Sequence, residues 1–221
     1  MSKLEPYRLQ GLDILSTTFW HLKNEVDLCS LAQLVVSIDK LSPYTWVVVG
    51  NCFSLQKEHE SALLFFKRSI QLDPYFTYAY TLSGHEYASN EDLENATSSF
   101  INALRIDTRH YIAWYGLGNI YFRQEKYDLA ALHFQKALCA HPASSILLCY
   151  LATSQYANQQ IHAALQTLDD AISTTIQNPQ ARFQCATICI ALHRYHEALL
   201  ELEAVKNIVP LDVAHCYIYI E

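Results

Sequence analysis

Asn51, His85 and Asn119 stand 34 residues apart, and Thr153 and Thr187 continue the series at the same interval. Amides and a neutral imidazole both donate and accept hydrogen bonds. Such a ladder can hold the backbone of an extended peptide whatever its side chains. Leu55, Tyr78, Tyr115, Phe122 and Tyr156 accompany it, a wall suited to an aliphatic anchor such as isoleucine. The bland alternative is that the polar members simply face water. Other chemistry is poorly supplied. Cys185, Cys189, His193 and His196 are zinc-ligand types, but the two cysteines fall where a helical core is expected, so gathering all four would unpack it. No Ser-His-Asp set, Gly-rich phosphate loop or carboxylate pair stands at a catalytic spacing. The expectation is a binding protein with no enzymatic activity, no metal and no cofactor.

Bulk properties narrow the partners. Charged residues make up 17% of the chain, below the usual quarter, and the net charge is −7. That balance argues against nucleic acid, which requires a basic stripe, and agrees with a cationic ligand. No apolar run approaches the length of a membrane span. Seven cysteines scattered through helical patterns read as reduced thiols of cytosol or nucleus. Trp46 and Trp114 recur as core residues rather than stacking platforms.

The elements that must position the ladder are visible in "AWYGLGNIYFRQEKYDLAALHFQKAL", residues 113–138. Trp114, Leu117, Gly118 and Tyr121 fall on one helical face, and the pattern pauses at Gln124, Glu125 and Lys126. Ala130, Phe134 and Ala137 then follow at helical spacing, so a second helix runs back against the first. Gly118 and Ala130 are the small residues that let two backbones approach. The pattern recurs at a shift of 34: Ser16, Gly50, Gly84, Gly118, Ala152 and Ala186 share one small position. Ala62, Ala96, Ala130, Ala164 and Ala198 share another, where the first unit has Leu28. Phe66, Phe100, Phe134, Leu168 and Leu202 share a large one, where the first unit has Ala32.

These residues resemble the tetratricopeptide repeat, matched best at 43–142. The resemblance implies an all-α fold, a right-handed superhelix or α-solenoid of six helix pairs. The units are 9–42, 43–76, 77–110, 111–144, 145–178 and 179–212, with a partial seventh at 213–221 in one array over 1–221. A half-unit cannot bury its own apolar face, so a piece of a longer protein, or a naturally truncated one, is expected. In such a superhelix the first helix of each unit lines the concave groove. Positions 2, 5, 9, 12 and 13 point inward, which is where the ladder and its wall lie.

The filler residues add identity. "STTFWHL" (16–22), "GNCFSLQKEHESAL" (50–63), "YAYTLSGHEY" (78–87) and "RHYIAWYGLGNIYFRQEKY" (109–127) resemble the C-terminal repeats of the cell division cycle protein 27 family. Those proteins are scaffold subunits of the anaphase-promoting complex, a ubiquitin ligase of nucleus and cytoplasm. The resemblance implies partners among the other subunits. It also implies that the groove receives the Ile-Arg C-terminal tails of activators and of a substrate-receptor subunit. The family dimerises through an N-terminal half that nothing here matches. A ligand arginine needs an acid, and Glu86 is the expected one, with Asp13 and Glu58 in reserve. A terminal carboxylate would find Arg123 and the Asn amides. The groove is therefore read as Asn51, Leu55, Tyr78, His85, Glu86, Tyr115, Asn119, Phe122 and Arg123. A chaperone-tail clamp is excluded, because Val47, Leu82, Ile112 and Gly116 stand where its polar residues belong and only Asn51 matches. The Asn ladder of a glycosyltransferase arm is absent too, position 6 reading Ile14, Val48, Leu82, Gly116, Tyr150 and Gln184. A tetratricopeptide adaptor for an unrelated protein partner is the remaining alternative.

Overall fold

The structure, a computed structural model, describes residue 9 and residues 11–175 and 178–208. Among the described residues there are twelve helices and no strand. They are α1 (Leu12–His21), α2 (Glu25–Ile38), α3 (Pro43–Leu55), α4 (His59–Leu72), α5 (Thr77–Ser89) and α6 (Leu93–Ile106). There follow α7 (Tyr111–Arg123), α8 (Tyr127–Ala140), α9 (Ser145–Ala157), α10 (Ile161–Thr174), α11 (Pro179–Ala191) and α12 (Tyr195–Ile208). The all-α architecture of paired helices is the one expected. The partial seventh unit at 213–221 lies outside the described residues. The chain divides into two compact units, residues 1–116 and 117–221, with α7 running from one into the other.

Each helix pair is joined by the same turn. Lys23, Lys57, Glu91, Glu125, Gln159 and His193, again 34 apart, all adopt left-handed backbone with φ between 53° and 63°. At Lys57 the amide donates to the Ser54 carbonyl, and the next amide, Glu58, reaches the Phe53 carbonyl at 3.0 Å. This double return satisfies helix-end carbonyls and reverses the chain within a few residues. Side-chain caps then start several helices. Asn24 accepts from the Asp27 amide, Asp92 from Asn95, Ser144 from Leu147 and Asn178 from Ala181.

Close approach within a pair depends on the glycines. A Cβ at Gly50 would lie 2.4 Å from the Phe66 ring, and one at Gly84 2.7 Å from Phe100. In the second unit, a Cβ at Gly118 would meet Phe134 at 2.6 Å. The three phenylalanines are fully buried, each such side chain contributing about 1.5–3 kcal/mol. Trp46 and Trp114 donate their indole N–H to the carbonyls of Lys40 and Thr108, which ties each first helix to the loop before it. Arg182 occupies the same position in the last pair and instead meets Glu201 at 2.8 Å. The first pair departs from the others as expected. Leu28 and Ala32 reverse the small-then-large order, yet both are buried in a cluster with Leu31, Val35 and Val48.

Candidate peptide-binding site

In the first unit a polar seam links α1, α3 and α5. Ser16 and Thr17 donate to the Asp13 carbonyl, at 2.7 and 3.1 Å. Asn51 Nδ2 donates to Ser16 Oγ at 2.8 Å and to Thr17 Oγ1 at 3.2 Å. The Tyr78 hydroxyl also meets Thr17 Oγ1. Thr17 has one hydrogen, already given to Asp13, so Tyr78 must be the donor. Its phenol is held protonated above the usual range, by burial first and then by the nearby Asp13 and Tyr111, against the opposing Thr17 bond. Asn51 thus spends both amide hydrogens inside the protein. Only its Oδ1 is left, an acceptor for a ligand N–H and not a donor to a carboxylate.

A second run of bonds crosses the same helices. Trp20 Nε1 donates to Ser54 Oγ at 3.1 Å, and Ser54 donates to Glu86 Oε2 at 2.7 Å. The other carboxylate oxygen, Glu86 Oε1, lies 2.6 Å from His59 Nδ1. Glu86 is 5% exposed, with each oxygen engaged, so an arginine arriving there has to displace His59 or Ser54. Asp13 is buried as well, but its carboxylate bonds only the Gly11 amide, at 3.0 Å. Gly11 has φ 92°, a backbone state in which glycine is at ease.

His85 is half-buried on α5, edge-on to Phe100 with centroids 5.0 Å apart and tilted to Tyr115 at 6.5 Å. Burial, then the nearby His110 and His21, lower its pKa to about 4, so the ring is neutral at pH 7. Its nitrogens make no hydrogen bond among the described residues. A neutral imidazole there offers one donor and one acceptor. Leu55 packs against the buried cluster that contains Leu28 and Val48, so it belongs to the core beside the seam more than to an open wall.

In the second unit Asn119 is half-buried on α7, without a hydrogen-bond partner among the described residues. Phe122 meets Tyr127 edge-to-face at 5.3 Å, and Arg123 is exposed in the last turn. Thr153 and Thr187 return their hydroxyls to their own helices at Cys149 and Phe183. Tyr156 packs against the core of the last two pairs. Cys185 and Cys189 are buried in that core, and the Cys185 thiol is pushed up to about 12, by burial first and then by Cys189. His193 faces the Tyr195 hydroxyl. Among the described residues no group of three metal-ligating side chains converges.

The reading by residue type missed Ser16, Thr17, Trp20, Ser54 and His59. Thr17 was within reach, being 34 residues before Asn51 and therefore the first rung of the ladder. The Glu86–His59 pair joins positions 27 apart, which no repeat spacing announces.

The family described as "Anaphase-promoting complex, cyclosome, subunit 3" matches residues 123–205, and the tetratricopeptide repeat family matches 81–145. Cell division cycle protein 27 homolog B of Arabidopsis thaliana is 49% identical over 207 residues, covering 94% of this chain and 28% of that protein. Anaphase-promoting complex subunit 3 of Schizosaccharomyces pombe is 41% identical over 207 residues, covering 94% of this chain and 31% of that protein. The chain spans less than a third of the length of these curated relatives. Of solved structures, YrrB, a TPR protein described as having an unusual peptide-binding site, has a TM-score of 0.60 at 19% identity. It covers 85% of this chain and 96% of that one, and a likeness at that identity shows the fold alone. The chain is a tetratricopeptide-repeat protein that resembles cell division cycle protein 27 along nearly its whole length.

Proposed function

We propose that this chain is a non-catalytic scaffold segment of the anaphase-promoting complex, acting in nucleus and cytoplasm with the other subunits. Its first unit receives Ile-Arg C-terminal tails of activator and substrate-receptor subunits, which promotes ubiquitination of cell-cycle proteins. The scaffold reading is supported by relatives named for that complex at 41–49% identity. The tail reading rests on unspent hydrogen-bonding capacity. Asn51 Oδ1 and the His85 ring stand on the first helices of consecutive pairs, uncommitted while the groups around them are bonded.

The chemistry of the tail follows from that inventory. Its backbone N–H donates to Asn51, and its backbone carbonyl accepts from His85. The isoleucine meets the Tyr78 and Tyr115 rings. The arginine pairs with Asp13 in preference to Glu86, because Asp13 carries a buried carboxylate with no cation whereas Glu86 has His59 and Ser54. Asn119, Phe122 and Arg123 offer the same group types in the second unit and are tested by their own substitutions. Affinity capture from cell extract on the immobilised chain, read by mass spectrometry, tests the scaffold reading. Recovery of ligase subunits and activators supports it, and recovery of chaperones alone contradicts it.

A further inference from the structure

Cys29 on α2 and Cys52 on α3 point at each other, with their sulfurs 2.9 Å apart. A disulfide bond measures about 2.05 Å, so closing the pair requires the sulfurs to approach by less than an ångström. The two residues belong to successive helix pairs, and the repeat places a facing couple at every such junction. The equivalent couples are Leu63 with Glu86, Thr97 with Ile120, Ala131 with Ser154 and Leu165 with Ile188. This junction alone carries sulfur on both sides. Both cysteines are thiols in the structure.

We propose that Cys29 and Cys52 are a redox modification site, closing reversibly to a disulfide that fastens the first helix pair to the second. The oxidant is a low-molecular-weight disulfide of the glutathione class. Cys29 is half-buried and Cys52 buried, with the Cys52 thiol pushed up to about 12 by burial and by Cys29 itself. Cys29 therefore reacts first. Its thiolate attacks one sulfur of the oxidised reagent, breaking the S–S bond and releasing one thiolate, which takes up the Cys29 proton. The Cys52 sulfur, losing its proton, then attacks Cys29 Sγ and expels the second thiolate, which is protonated in turn. Two protein thiols are oxidised, and one reagent disulfide is reduced to two thiols. The inference is independent of the peptide reading. It bears on the same helix, since Cys52 follows Asn51, and the bond would hold α2 against the helix that anchors α1.

The test exposes the purified chain to graded ratios of oxidised to reduced glutathione, followed by digestion without reductant and mass spectrometry. A linked Cys29–Cys52 peptide that disappears with reductant is expected. It should be accompanied by a rise in melting temperature of roughly 5 °C or more, absent in Cys29→Ser. Exposed Cys139 serves as the internal control for reagent access. Glutathione on Cys139 or Cys29 without a Cys29–Cys52 link overturns the proposal, and so does a link that leaves melting unchanged. Should Cys29→Ser fail to fold, melting of the wild-type chain with and without reductant decides the matter alone.

Discussion

Asn51 Nδ2 sits 2.8 Å from Ser16 Oγ, a hydrogen bond between two buried side chains on the first helices of neighbouring pairs. With the companion bond to Thr17, it makes this asparagine a structural tie before it is anything else. Asn51→Ala leaves two buried hydroxyl acceptors short of a donor. The expected cost is about 1–3 kcal/mol. Urea denaturation checks it, and limited proteolysis should show cleavage rising first within residues 12–38.

Gly118→Leu should open the α7–α8 pair, because even a methyl there would stand 2.6 Å from the Phe134 ring. Overpacking of this kind costs about 1–3 kcal/mol or more. Trimming the obstacle with Phe134→Leu should recover part of the loss in the double variant. Thermal melts by circular dichroism decide the point, and a Gly118→Leu chain as stable as wild type would contradict this packing.

The six left-handed turn residues are non-glycine, so each carries a strain that glycine would relieve. Lys57→Gly should be neutral or stabilising by up to about 1 kcal/mol, despite the greater freedom of glycine in the unfolded chain. Lys57→Val should destabilise, since a β-branched residue tolerates positive φ poorly. Denaturation midpoints of the two variants must fall on opposite sides of each other in that order.

Acidification should weaken the fold in a defined window. Native His85 titrates at about 4, held down by burial and by its histidine neighbours, while an exposed imidazole titrates near 6.5. Stability is intact above about pH 6.5 and is lost progressively as pH falls towards 4, because only the unfolded chain takes up the proton there. His110 and His133, also lowered by burial, act in the same direction. His85→Asn should flatten part of this dependence, worth about 1–3 kcal/mol. Melting temperatures measured between about pH 7 and pH 4 provide the comparison.

The helices were legible because their constraints repeat. Gly50, Gly84 and Gly118 face Phe66, Phe100 and Phe134, and a shift of 34 residues displays the match. The site was less so. Residue type shows that Asn51 can donate and accept, yet its neighbours decide which capacity survives folding. Here α1 takes both hydrogens. Glu86 looked like the acid for a ligand because it is one of few near the ladder. Only folding brings His59 across from the inter-helix turn to occupy it. His85 keeps its capacity for a reason equally invisible in one dimension: aromatic rings, not polar groups, surround it.

Fluorescence anisotropy with a labelled peptide ending in Ile-Arg tests the central claim most directly. The chain should bind it, and replacing the arginine by alanine should weaken binding. Asp13→Asn should lower affinity for the arginine peptide and leave the alanine peptide little changed, with the difference shrinking as salt rises. His85→Phe, which keeps an aromatic ring but removes both nitrogens, should cost about 0.5–1.5 kcal/mol for a lost neutral bond. Equal binding of the two peptides, or affinities untouched by Asp13→Asn and His85→Phe together, would contradict the assignment of the first unit as the receiving surface.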